Sequence, residues 1–493
     1  MKPRVKFQIT QGSSWLFYLT AFLSSTMLRA IPEFSLPKYP VGYDTVVYYA
    51  PEILQLSAVP PLELLSKAPL LYVLLWLVRE ATRIDVYLML KITGPLLYGA
   101  LATAFLLFLQ RYLKWSLKKS LFATLVCFLH PTTLRISWDL FRNELGMLFF
   151  FLLIVVLAKK GKIRLCLSAL MAIFVVLSHE FVSILVFLVV PWAARKQSWR
   201  WKEILGFLAP AALLFLYQLV PIITAHTFTH PPATSRIIRL VKEPIPTNTL
   251  ADPRFSGSYI RLVDAVARLT VYHYLPLLPI IVLGFFREPL LDATVGWLCF
   301  ASYTVLLVPE AYPFYSYYRW LILLIYPLSI YVSNGLTRLI KNKGRYGKIA
   351  AGTFIALLLL NGLGYASGVG CYMLDPVVAT YQPYHLVYSS VDPPEIENCI
   401  ACIRWLNGHA CNSTVLLVEE RFRGWAMVYL SQEIAIAWYP AKYPLSRIPV
   451  EELSRNFDNL YLLWLQKSKP YGFKLVYEAG KIALYKYVGE SAT

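Results

Sequence analysis

Asp44 stands in the run Val41-Gly42-Tyr43-Asp44-Thr45-Val46-Val47-Tyr48-Tyr49, an acidic side chain among aromatics just after the first hydrophobic segment. A carboxylate in that setting can serve as a general base or a metal ligand, because interfacial water keeps it ionised while tyrosines such as Tyr43 shape a site around it. The competing role is structural, since an aspartate shortly after Gly42 also suits a turn or a helix cap. Ionisable residues gather in the same way at the ends of later apolar runs. Arg135, Trp138, Asp139, Arg142, Asn143 and Glu144 share one turn, His179 and Glu180 the next, and Glu310, Tyr312, Tyr315, Tyr317, Tyr318 and Arg319 a later one. An ionisable side chain at the bilayer centre costs about 2.5–3.5 kcal/mol, so a position at a helix end is partly the cheap solution. Cheapness alone does not gather carboxylates and guanidiniums on one face. Such a rim suits an anionic lipid head group, with arginine donating paired hydrogen bonds to phosphate oxygens.

The elements that must carry these residues are membrane helices. The chain is 57% hydrophobic and 15% aromatic with a mean hydropathy of +0.53, and it repeats apolar runs of roughly 20 residues, the length that crosses a bilayer. The net charge of +19 does not indicate nucleic acid, because many basic residues lie in short connectors at 111–119, 159–164, 195–202 and 338–348. Basic connectors between apolar helices face the cytoplasm. The first run, 14–31, follows Lys2, Arg4 and Lys6 and lacks a small-residue cleavage site, so it is expected to be a retained helix with a cytoplasmic N-terminus. Parity then puts the loop 32–91, and Asp44 with it, outside. The short run 69–76 within that loop is expected to lie flat as an interfacial helix, with Arg79, Glu80 and Arg83 facing water. Further spans are expected at 92–110, 120–134, 145–157, 165–177, 181–194, 204–224, 271–286, 290–308, 318–336 and 349–366, about eleven crossings in all. The connector 225–270, with His226, His230, Arg236 and Arg239, is expected outside and is too long for a plain linker.

At residue 370 the composition changes and a second region, 370–493, begins after the membrane part, 1–369. Its pattern predicts helices over 396–406, 422–431 and 450–457, strands over 415–419, 434–438 and 460–465, and a hairpin of 473–477 with 481–487. Strands alternating with helices make a small α/β unit, which parity places outside the cell. Cys371, Cys399, Cys402 and Cys411 share that side, and Cys399 or Cys402 with Cys411 would staple a helix to the next strand. The sequon Asn412-Ser413-Thr414 is usable only there. No Walker loop, dinucleotide fingerprint or HExxH occurs, so nucleotide-driven transport and metalloprotease chemistry lack support.

The layout resembles the C-type (GT-C) integral-membrane glycosyltransferases. It shares a short basic N-terminus, a helix, an outer loop with Gly42-Tyr43-Asp44 followed by tyrosines, and Lys67-Ala68-Pro69-Leu70-Leu71-Tyr72 before the second span. The resemblance is strongest to members that take a sugar from a polyprenyl-phosphate carrier, and it covers roughly the first 340 residues. It implies that Asp44 is catalytic and that a second acidic residue falls on Asp139 or Glu144. It also implies a polar contribution from His179 and Glu180, and a lipid-phosphate site at Tyr318-Arg319-Trp320, with Arg142 a further candidate for the departing phosphate. Asp44 would deprotonate an acceptor hydroxyl, or orient it through a divalent ion such as magnesium or manganese, and polyprenyl phosphate would leave. The acceptor class, whether glycan, lipid or protein, stays open. The competing functions are a glycan ligase or polymerase working through Arg236 or Arg239, and a lipid or solute transporter.

Overall fold

The structure is a computed structural model describing residues 14–36, 38–159, 161, 163–223, 237–240, 258–309, 317–370, 378, 381–411, 413–441, 443–465 and 469–489. Among the described residues, six helices are long and apolar enough to cross a membrane: Val86–Arg111, Trp201–Val220, Tyr259–Gly284, Pro289–Leu306, Tyr317–Asn342 and Gly344–Ser367. A bent pair, Pro131–Asp139 and Phe141–Leu157, makes a seventh if taken as one. The other expected crossings fall on helices Ser14–Ser35, Leu117–Phe128, Ile163–Ser178 and Glu180–Lys196, which do not qualify by length and composition alone. Several helices open on a side chain that accepts their first free N–H groups. Asp85 receives Tyr87 N and Leu88 N, and His130, followed by Pro131, receives Thr132 N.

The segment expected to lie flat is the helix Leu70–Thr82, whose Leu71, Tyr72 and Leu75 face the core while Leu74, Leu77 and Val78 are exposed. Its polar end is tied internally, Glu80 pairing with Arg79 at 3.0 Å and Arg83 at 2.7 Å.

The C-terminal helices and strands stand within a few residues of their expected positions. The strands are β1 (Ile237–Arg239), β2 (Thr414–Glu419), β3 (Ala435–Tyr439), β4 (Asn459–Leu465), β5 (Phe473–Ala479) and β6 (Ile482–Tyr487), in the order β1-β3-β2-β4-β6-β5. The first four are parallel and the β5–β6 hairpin is antiparallel. Both faces are covered, so β2 reads as an unbroken apolar run. Leu416 and Val418 join the core continuous with the helical bundle, while Val415 and Leu417 join a separate core with Ile448 and Leu453.

Two expectations are corrected here. The connector over 225–270 is not loop throughout: Ile237–Arg239 pairs parallel with β3 as an edge strand, and a helix starts at Tyr259 instead of 271. Hydropathy hides that helix because Arg261, Asp264 and Arg268 lie within it, Arg268 pairing with Asp264 at 2.8 Å. His226, His230 and Arg236 lie outside the described residues. Nor is the expected staple formed. Cys399 and Cys402 are buried against the sheet, Cys402 Sγ lying 3.7 Å from Ile482 O, whereas Cys411 is exposed, and all three are free thiols. Cys371 and Asn412 fall outside the described residues.

Candidate active site

The Asp44 segment is held from both sides. Glu33, paired with Arg29 at 2.8 Å, accepts Val41 N at 3.1 Å. Lys91, from the Val86–Arg111 helix, donates to the carbonyls of Glu33, Leu36 and Tyr39. Gly42 then donates its N–H to Tyr388 O at 2.6 Å. Its φ of +104° is a conformation that disfavours L side chains, and a Cβ there would lie 2.4 Å from Trp138 O and 3.2 Å from Asp139 Cβ. Gly42 thus lets the chain approach Asp139 and start a helical turn at Tyr43-Asp44. That turn continues as a π-helical stretch, Thr45–Tyr49, and then the helix Ala50–Gln55. Short π-helical stretches frequently mark functional positions. The side chain of Asp44 makes no capping hydrogen bond.

Asp139 meets this turn because the chain bends by 114° between the Pro131–Asp139 and Phe141–Leu157 helices, Leu140 having left the helical region at φ −99°, ψ 47°. The expected polar turn is therefore two helices and one hinge residue. Asp139 pairs with Arg135 at 2.6 Å, Arg135 Nε donates to Tyr381 O at 2.7 Å, and Tyr49 OH donates to Asp139 O at 2.8 Å. Glu144, the other acidic candidate, goes elsewhere. It is fully buried in the Phe141–Leu157 helix, neither carboxyl oxygen has a hydrogen-bond partner among the described residues, and its charged neighbour is Arg29. The charges that bear most on Asp44 are instead Asp139, Arg319, Arg135 and Glu420.

The cationic candidates differ in how far they are already engaged. Arg142 is held by Glu180 at 2.8 Å, by Lys67 O at 3.2 Å and by Ser178 O at 3.3 Å. Arg319 donates Nε to Tyr318 OH at 3.1 Å, and its two terminal nitrogens make no hydrogen bond to the described residues. His179 is buried and caps its helix, Nδ1 accepting Phe181 N at 3.1 Å, so burial keeps the imidazole neutral and pushes it down to about 3. Burial opposes charge on Glu180 as well, yet the surrounding positive charge, with the Arg142 and Arg319 guanidiniums in it, and a backbone hydrogen bond hold that carboxyl down at about 2. Glu310, Tyr312 and Tyr315 lie outside the described residues.

One participant comes from the far end of the chain. The helix Glu420–Tyr429 lies so close to the π-helical stretch that a Cβ on Gly424 would be 1.9 Å from Val46 O. Glu420 accepts a hydrogen bond from Tyr48 OH, and the rings of Tyr39 and Tyr87 pack on Trp425. Sequence reasoning missed Glu420, although it follows the parallel strand β2 directly, and ligands of open α/β sheets bind beyond the carboxyl ends of strands.

No protein-family model matches this chain, and no curated protein matches it significantly.

The arrangement has definite chemistry nonetheless. Asp44 is half-buried, and its carboxylate makes no hydrogen bond or ion pair to the described residues. Burial, reinforced by the Asp139 carboxylate, pushes it up to about 7, with Arg319 and Arg135 pulling the other way. A free carboxylate tuned to neutrality is suited to take a proton. Burial raises the phenols of Tyr43 and Tyr48, so both remain neutral donors. Among the described residues no three His, Cys, Asp or Glu side chains converge, and the nearby carboxylates have partners, Asp139 pairing with Arg135 and Glu420 accepting from Tyr48.

Proposed function

We propose that this protein is a multi-pass membrane glycosyltransferase that moves a sugar from a polyprenyl-phosphate carrier to an acceptor hydroxyl. In this reading the chain crosses the membrane about eleven times, with its N-terminus in the cytoplasm, and the Asp44 site and the C-terminal sheet lie on the extracytoplasmic side. The observation that carries the reading is the half-buried Asp44 carboxylate, unpaired among the described residues and under the opposing charges of a second acidic residue, Asp139, and a guanidinium, Arg319, whose terminal nitrogens make no hydrogen bond to the described residues. Asp44 takes the acceptor proton while the hydroxyl oxygen forms a bond to the anomeric carbon. The bond from that carbon to the phosphate oxygen breaks, its electron pair leaving with polyprenyl phosphate, and a single displacement inverts the anomeric centre. Phosphate is already a good leaving group, so the protein adds base assistance and charge stabilisation, the latter from Arg319. Arg142, tied to Glu180, fixes the rim of the site instead of meeting the phosphate directly.

The test is consumption of a radiolabelled polyprenyl-phosphate sugar by purified protein in lipid, wild type beside Asp44→Asn. Several donors left intact by folded wild-type protein would sink the transferase reading and favour transport.

Two further outcomes are expected from the same assay. Arg319→Gln should lower kcat/KM by about 10²–10³-fold, the scale of removing a group that stabilises developing charge, while thermal unfolding stays near wild type because the guanidinium makes only one hydrogen bond to the described residues. Glu420→Gln should move the acidic limb of the pH–rate profile to lower pH, since the Glu420 charge is one of those that raise Asp44. A limb that moves up or stays in place would remove Glu420 from the site.

A further inference from the structure

A second cleft, of about 450 Å³, opens where the ends of the Ser14–Ser35 and Gly344–Ser367 helices meet the segment leading into the sheet. That volume lies in the range of small-ligand sites. Ser35, His385, Tyr388, Asp392, Glu395 and Lys481 are among the residues lining it. The rings of His385 and Tyr388 stack face to face, 3° apart in plane with centroids 4.4 Å apart, so that each covers one face of the other. His385 Nδ1 accepts Val387 N, and burial lowers its proton affinity, so the imidazole is neutral and carries its proton on Nε2. The Glu395 carboxylate is already taken by Asn398 Nδ2 and Lys481 N. Asp392, exposed, makes no side-chain hydrogen bond to the described residues.

We infer that this cleft binds a neutral pyranose-based glycan and delivers it to the Asp44 site as the sugar acceptor. The outer face of the aromatic stack receives the apolar face of a pyranose ring, Asp392 accepts from its hydroxyls, and the His385 Nε2–H donates. The charges fit neither a cation nor an anion. One carboxylate is already taken by Asn398 and the Lys481 N–H, and the lysine lining the cleft is offset by the remaining carboxylate. Tyr388 also connects the two sites. It lines the cleft, while its carbonyl accepts Gly42 N at 2.6 Å and Trp138 Nε1 at 3.3 Å, the groups that place Asp44 and Asp139. The word acceptor rests on the glycosyltransferase reading, but binding itself does not.

The test uses the full chain in lipid nanodiscs, titrated with neutral gluco-, manno- and galacto-configured trisaccharides and followed by saturation-transfer NMR and calorimetry. At least one trisaccharide is expected to bind, equally well to wild type and to Asp44→Asn, and tenfold or more weakly to Asp392→Asn and to His385→Ala. Asp392→Asn is conservative at an exposed position, so it keeps the test valid if His385→Ala fails to fold. Absence of binding by all three, or binding that neither substitution weakens, overturns the inference. Trisaccharide binding by a protein that consumes no donor would retain the cleft and remove the transferase reading. Donor consumption without binding would do the reverse.

Discussion

Asp44→Asn is expected to lower donor turnover by about 10²–10⁴-fold, the usual contribution of a positioned general base, with little change in donor binding. The loss should show in kcat, because the carboxylate acts on the proton that moves in the transition state and not on the carrier lipid. The pH dependence makes the prediction sharper. Asp44 is pushed up to about 7, and only its ionised form can accept a proton. Wild-type kcat should therefore be flat above that value and fall about tenfold per pH unit below it, and this limb should vanish in Asp44→Asn. Stability has the opposite sign. A carboxyl whose proton affinity is raised by folding holds its proton more tightly in the native state than in the unfolded one. Its ionisation thus costs stability progressively from the ordinary carboxylate range up to about 7. At pH 8 Asp44→Asn should unfold at the same temperature as wild type or a higher one. A variant that is inactive and also clearly less stable at that pH would mean that Asp44 is structural.

Gly42→Ala is expected to be nearly as damaging without touching a reacting group. The added methyl would sit 2.4 Å from Trp138 O on a backbone at φ +104°. Neither obstacle yields cheaply, since one is main chain and the other is a conformation that costs an L residue about 1–2 kcal/mol. The segment must move away from the bend that carries Asp139, and displacement of about 1 Å at a catalytic group can cost about 10²-fold in rate. We expect a lower unfolding temperature, a comparable loss of kcat, and a shift of the acidic limb toward lower pH, as Asp44 leaves the shelter and the negative charge of Asp139. Gly408→Ala is the control. A methyl there meets nothing within 4 Å, it lies in the helix Ile396–His409, and alanine is the better helix former. If the two variants behave alike, the close approach at Gly42 carries no function.

The site also depends on the C-terminal region in a way that limits how it can work. Helix Glu420–Tyr429 touches the π-helical stretch at Gly424 and Val46, and Glu420 receives Tyr48 OH. The C-terminal region thus packs directly on the segment that carries Asp44, and the edge strand β1 of its sheet comes from the middle of the chain.

The sequence by itself determined the apolar helices, the positions of the C-terminal strands and helices, and the prominence of Asp44. These are readable because hydropathy and the periods of helix and strand are sums over neighbours in the chain. Tertiary structure decided the rest. Which acidic residue lies beside Asp44 depends on one hinge, Leu140, which turns Asp139 toward the loop and leaves Glu144 inside the next helix. Nothing in the run 131–146 marks that bend, because Leu140 is unexceptional in either helix. The three-residue β1 has no pattern of its own and exists only because β3 offers a free edge. Glu420 reaches Tyr48, Arg142 is spent on Glu180, and the thiols of Cys399 and Cys402 turn inward, away from Cys411. Each of these is a choice of partner across long stretches of chain, fixed by burial and packing, and no local pattern records it.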